Sequence, residues 1–220
     1  MGVTLSMSLP AIYNSRFFKA DARTQFVSAG MRVAVSAQHN ELCIADISVL
    51  PGASTTLRSS GYSREIWMPV AGSLLISGNG EAERELDPGS LLVTTAATKD
   101  VVIRNPYPDQ AINLLRICHN VSAAAVPVSA ATLDLISKNT LTAAGGPATY
   151  LRAGVYDSRV KDILPPVAKG KRLFFYIING AFEVDGRLME HRDGLTLWDI
   201  GEEIDFEALS EAAIILIIEY

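Results

Sequence analysis

The feature that most constrains this chain is a local order of elements that occurs twice. In the first half an apolar strand runs to Gly72, a second begins at Ser73, Leu74 and Leu75, a glycine-rich turn follows, and Asp87, Pro88, Gly89 and Ser90 lead into Leu91. In the second half Leu173 to Ile178 runs to Asn179 and Gly180, then Ala181 to Val184, the turn Asp185 and Gly186, and Arg192, Asp193 and Gly194 before Leu195. The two copies lie about one hundred residues apart, which predicts two copies of one β unit.

Further strands are expected at Met31 to Ser36, Leu42 to Leu50, Ile66 to Val70, Val101 to Arg104, Ala111 to Cys118, Tyr150 to Tyr156 and Ala213 to Tyr220. Ser77, Gly78, Asn79 and Gly80 should close a hairpin, because this run supplies positive φ cheaply. Helical periodicity is scarce. Asn120 to Thr132 shifts to Ala, Ser, Val and Pro and reads as a linker, with Ala131 to Ser137 its one plausible short helix. The expected organisation is an all-β chain of two jelly-roll barrels, with an N-terminal domain over 1–120, a linker over 121–140 and a C-terminal domain over 141–220.

Composition narrows the function. A net charge of −5 argues against a broad nucleic-acid footprint. The longest apolar stretch, Ala212 to Ile218, is far short of a membrane-spanning helix. Cys43 and Cys118 are too few for a disulfide framework, so a reduced, cytoplasmic setting is expected.

Between Gly52 and Gly72 the spacing fits the first cupin motif, in which a Gly is followed by His, any residue, His, then Glu and a second Gly. Gly52 is followed after five residues by Arg58, Ser59 and Ser60, then by Glu65 and Gly72. Asp193 to Asp199 looks like the C-terminal cupin of pirin-like and bacterial quercetinase-like proteins. From about Met31 to Tyr220 the chain therefore resembles the pirin family of bicupins, although the usual N-terminal His-Gly-Trp and Phe-Ser-Phe patches are absent.

The resemblance implies one iron or copper ion held by three His and one Glu. Only Glu65 of that set is present: Arg58 and Ser60 stand at the motif-one histidines, and counting back from Asn105 puts Val101 at the motif-two histidine. Pro166, Ala168 and Leu173 stand at the ligand positions of the second copy. A guanidinium cannot ligate a metal while it carries its charge, so no cofactor is expected. Arg58 then either pairs with Glu65 or points to solvent from a loop. Arg116 joins Arg58 beside Glu65 if the face carrying Ile112, Leu114 and Cys118 lines the barrel, and is a surface residue otherwise. The candidate ligand pocket is thus Arg58, Ser60, Glu65, Val101 and Arg116, suited to a small anion.

Three readings of function compete. The first is a metal-free pirin-like protein that binds a small anionic metabolite or a protein partner without catalysis. The second is a quercetinase-like dioxygenase with an atypical metal site, for which Glu65 with His39 or His119 is the sole rescue. The third is a redox-responsive regulator using Cys118 or Cys43, which needs an accessible thiol of low pKa.

Overall fold

The computed structural model describes residues 13–38, 41–120, 129–145 and 150–220; His39 and part of the expected linker lie outside them. The duplication is visible strand for strand. In the first barrel the large sheet carries, side by side, Ser90–Thr95, Arg64–Ala71, Ile112–His119 and Leu42–Val49; the second carries Gly194–Trp198, Arg172–Asn179, Ala213–Glu219 and Leu151–Tyr156 in the same order. The small sheets correspond as well, Ser54–Arg58, Asp100–Arg104, Leu74–Gly78 and Arg84–Leu86 matching Lys161–Leu164, Ile204–Ala208, Phe182–Val184 and Arg187–Met189.

Turn chemistry explains why the two copies match. Asn79 and Gly80 have φ of 51° and 77°, and Asp185 and Gly186 have 49° and 69°, the paired positive values that a tight hairpin requires. Gly72 and Gly180 face equivalent crowding: a Cβ on Gly72 would lie 2.7 Å from Ile112 and one on Gly180 2.9 Å from Ala213, which open equivalent strands.

Each half also lends a strand to the other barrel. Asn14–Phe18 pairs antiparallel with Gly194–Trp198, and Ser129–Thr132 pairs with Ser90–Thr95. The latter corrects the expectation of a short helix over Ala131 to Ser137. Ala131 and Leu133 bury their side chains against the apolar layer described next, and this tertiary burial overrides a weak helical preference. Thr24–Ser28, Ser54–Arg58 and Ile204–Ala208 add strands beyond the expected set, each only five residues long.

Three apolar cores result. One fills the first barrel, with Trp67, Leu92, Val101 and Leu114; one fills the second, with Tyr156, Phe175, Phe182 and Phe206. The third lies between the two large sheets. Leu42, Ile44, Ile66, Leu115 and Ile117 from the first meet Leu151, Phe174, Tyr176, Leu216 and Ile218 from the second. A polar cluster borders this layer: Asp46 accepts from Arg23 at 3.0 Å, Asn113 at 2.5 Å and Tyr176 at 3.4 Å, and Arg192 of the second barrel lies 3.5 Å from it.

The barrels therefore share a core rather than touch. Residues 1–125 expressed alone would expose the Leu42, Ile44, Ile66 and Ile117 face to water and should aggregate; a soluble fragment with a cooperative melt contradicts this.

Candidate functional site

Along Arg64–Ala71 side chains alternate between two cores. Ile66 and Met68 enter the layer between barrels, whereas Glu65 and Trp67 point into the first barrel. On the adjacent strand Leu115 and Ile117 take the outer face, which turns Leu114, Arg116 and Cys118 inward. Of the two orientations open to Arg116 in the sequence, the inward one is adopted.

Glu65 is 1% exposed, and its carboxylate is fully engaged. Oε2 accepts from Arg116 Nε at 3.0 Å and from a terminal guanidinium nitrogen at 2.7 Å, so two donors of one guanidinium converge on a single oxygen in a charge-assisted pair. Oε1 accepts from the Ser60 backbone N–H at 2.6 Å, the Ser60 hydroxyl at 2.7 Å and the Ser59 hydroxyl at 3.1 Å. These donors occupy a carboxylate that offers about four lone-pair directions. The Arg116 guanidinium also lies over the Trp67 ring at 4.8 Å from its centroid, and Trp67 Nε1 donates to Thr94 at 3.2 Å. Trp67, Ser59 and Thr94 belong to the cluster but carry no motif signal in the sequence.

Arg58 takes the other course. On Ser54–Arg58, Thr55 and Leu57 turn toward the barrel and the alternate residues turn out, so the Arg58 side chain is exposed. The expected Arg58–Glu65 pair is thus replaced by Arg116–Glu65. Arg58 contributes only its carbonyl, which accepts from Arg116 at 2.7 Å. Val101 is 1% exposed and packs among the apolar side chains of the first barrel.

The cysteines are directly opposite each other on Leu42–Val49 and Ile112–His119. Burial, followed by the nearby Glu65 charge, pushes the Cys118 thiol up to about 12, and burial raises Cys43 as well. A thiol held protonated in this way lacks the low pKa that the redox reading needs.

His119 faces away from Glu65, into the layer between the barrels, 4.4 Å from the Tyr150 ring between centroids. Among the described residues neither ring nitrogen has a hydrogen-bond partner. It cannot complete a ligand set with a carboxylate on the opposite side of the sheet. His191 lies beside Arg192 in the second barrel, accepting from its Nε at 3.3 Å. Among the described residues no group of three or more His, Cys, Asp or Glu is placed to hold a metal ion. The cupin metal does not fit these residues: the one carboxylate is saturated by protein donors, and its nearest cation is a guanidinium. In the second barrel Leu173 is part of the apolar core.

Two tandem jelly-roll barrels joined through their large sheets define a bicupin. Residues 158–219 match the family described as the quercetinase C-terminal cupin domain. No curated protein matches the sequence. Among solved structures, YhhW from Escherichia coli superposes with a TM-score of 0.76 at 14% identity, covering 93% of this chain and 97% of that one. The same bacterial pirin in complex with nickel(II) gives 0.76 at 13% identity, covering 93% and 98%. Quercetin 2,3-dioxygenase from Acinetobacter baumannii gives 0.71 at 14% identity, covering 93% and 85%. The fold is that of pirin- and quercetinase-like bicupins; the family match lies in the C-terminal cupin, and at these identities the likeness to the solved structures is one of fold.

Two outcomes follow from the geometry. Arg116→Leu leaves the buried Glu65 without its countercharge and should cost about 3 kcal/mol in urea unfolding, whereas Arg58→Ala, at an exposed position, should cost under about 0.5. Burial, with Arg64 and then Lys171 adding to it, lowers His119 to about 4. An unfolded chain takes up a proton near the ordinary 6.5 that the folded chain refuses. Stability should be complete above about pH 6.5 and decline by up to about 3 kcal/mol as pH falls toward 4. His119→Phe, which keeps a ring against Tyr150, should flatten that decline in urea titrations compared at pH 7 and pH 5.

Proposed function

We propose that this bicupin is non-catalytic: its first barrel carries an internal guanidinium–carboxylate pair where related cupins would hold a metal, and the protein works by binding a small molecule or a protein partner. The observation that carries this reading is the occupancy of Glu65. Both oxygens are spent on Arg116, Ser60 and Ser59. A divalent ion would have to displace a doubly hydrogen-bonded arginine from a buried site and then coexist with its charge, which is repulsive in a partly desolvated setting. The adjacent Val101 and Trp67 offer no coordinating atom.

Elemental analysis of the purified protein, followed by thermal melts with added nickel(II), iron(II) or copper(II), tests this. The expected result is far below one equivalent of any transition metal, no rise in melting temperature on addition, and no oxygen-dependent cleavage of quercetin. Close to one equivalent of metal that is lost in Glu65→Gln, together with turnover of quercetin, would establish the dioxygenase reading instead. Arg58→His should not raise metal affinity, because that side chain points to solvent.

A further inference from the structure

A second polar concavity lies on the other barrel and owes nothing to the metal position. Asn14–Phe18, the strand lent to the second barrel, sets Arg16 opposite Thr196 and Asn14 opposite Trp198. On the far side of the same Gly194–Trp198 strand, Arg172 stands opposite Trp198 and Phe174 opposite Thr196. Leu195 and Leu197 fill the second barrel, so Thr196 and Trp198 face the opposite way, on the side that carries Phe174 and the layer between barrels. Beside that layer is an open groove of about 520 Å³ lined by Arg16, Arg172, Thr196, Trp198 and Tyr220, with Phe18 at one end and Glu41 of the first barrel at the rim.

Its chemistry is specific. The Arg16 guanidinium carbon lies 5.0 Å from the Phe18 ring centroid, and that of Arg172 lies 6.0 Å from the Trp198 centroid, so each cation is held on an aromatic face. Among the described residues no carboxylate lies within ion-pairing distance of Arg16. Arg172 pairs with Glu41 at 2.9 Å, but the two side chains are 43% and 54% exposed, so the pair is weak and displaceable. Thr196 is 4% exposed, with its hydroxyl 3.4 Å from the Tyr220 hydroxyl, which places polar oxygens beneath the arginines.

We infer that this groove binds a small aromatic carboxylate, its carboxylate taken by the forks of Arg16 and Arg172 and its ring laid against Trp198 and Tyr220. A carboxylate matches the guanidinium fork in two bonds, and Glu41 already presents one to Arg172. The aromatic walls favour a flat ring over an aliphatic body or an inorganic anion. The volume suits a molecule of one or two rings. This assignment stands whether or not the first barrel holds a metal.

Calorimetric titration of the full chain with benzoate and 4-hydroxybenzoate, against acetate, cyclohexanecarboxylate and inorganic phosphate, tests it. Both aromatic acids should bind more tightly than all three comparators. Arg16→Gln and Arg172→Gln should each weaken them about tenfold. Arg159→Gln removes the same charge from an exposed site on the second barrel and should leave affinity unchanged. Glu41→Gln should tighten binding several-fold by releasing Arg172, and Trp198→Leu should weaken the aromatic acids. The inference is overturned by no binding at about 10 mM ligand, by equal affinity for cyclohexanecarboxylate, or by Arg16→Gln and Arg172→Gln behaving like Arg159→Gln.

Discussion

The apolar layer between the two large sheets is the constraint on which the rest of the molecule depends. Arg64–Ala71, Ile112–His119, Arg172–Asn179 and Ala213–Glu219 place apolar side chains on both faces, so each sheet has to be covered twice. Its own small sheet covers one face; the other barrel covers the second. Neither half can therefore satisfy its central strands alone, and the exchange of Asn14–Phe18 and Ser129–Thr132 adds backbone hydrogen bonds to the same union. Hydrophobic contact is non-directional, so something else has to fix how the sheets meet. The cluster of Asp46, Arg23, Asn113 and Arg192 supplies directed contacts between elements of both barrels.

Within that frame the buried carboxylate of Glu65 needs a cation, and the register decides which one. Cys118 is directly opposite Glu65 and Arg116 opposite Trp67, so Arg116 is the diagonal neighbour whose long side chain reaches Glu65 while resting on the indole. A guanidinium is more weakly hydrated than an ammonium, which lowers the cost of enclosing it. A permanent protein cation preserves the charge balance that a metal would provide, but it leaves no exchangeable coordination position. Trp67, which shares a core with Val101, packs against this pair.

The duplication was legible because it is written in turn residues and apolar runs, both local signals: Asn79–Gly80 and Asp185–Gly186 each dictate a hairpin without reference to the rest of the chain. The bicupin resemblance and Glu65 were legible through motif spacing. The lent strands were not, since Asn14–Phe18 and Ser129–Thr132 acquire their structure from partners far away in sequence. Motif spacing favoured Arg58 as the partner of Glu65, but spacing says nothing about which way a strand's alternation runs at its last residue. Arg116 lay in a strand with no clean polar face, and both faces of that strand prove to be buried in different cores. A two-sided core removes the alternation on which an inside or outside assignment rests.

The groove on the second barrel shows how strand exchange creates surface chemistry that neither barrel has by itself. Gly194–Trp198 without its lent neighbour would be a sheet edge, exposing unpaired backbone groups. Covering that edge with Asn14–Phe18 satisfies the backbone and at the same time delivers Arg16 and Phe18 to the face where Arg172 and Trp198 already stand. Thr196 is small and flanked by large residues, so the covered edge is a depression with hydroxyls at its base. The cations there are half exposed and held by aromatic faces, unlike Arg116, whose charge is fully committed to Glu65. An anion can exchange at the first kind of arginine and not at the second, so the ligand site proposed above falls at the seam between the halves rather than inside the first barrel.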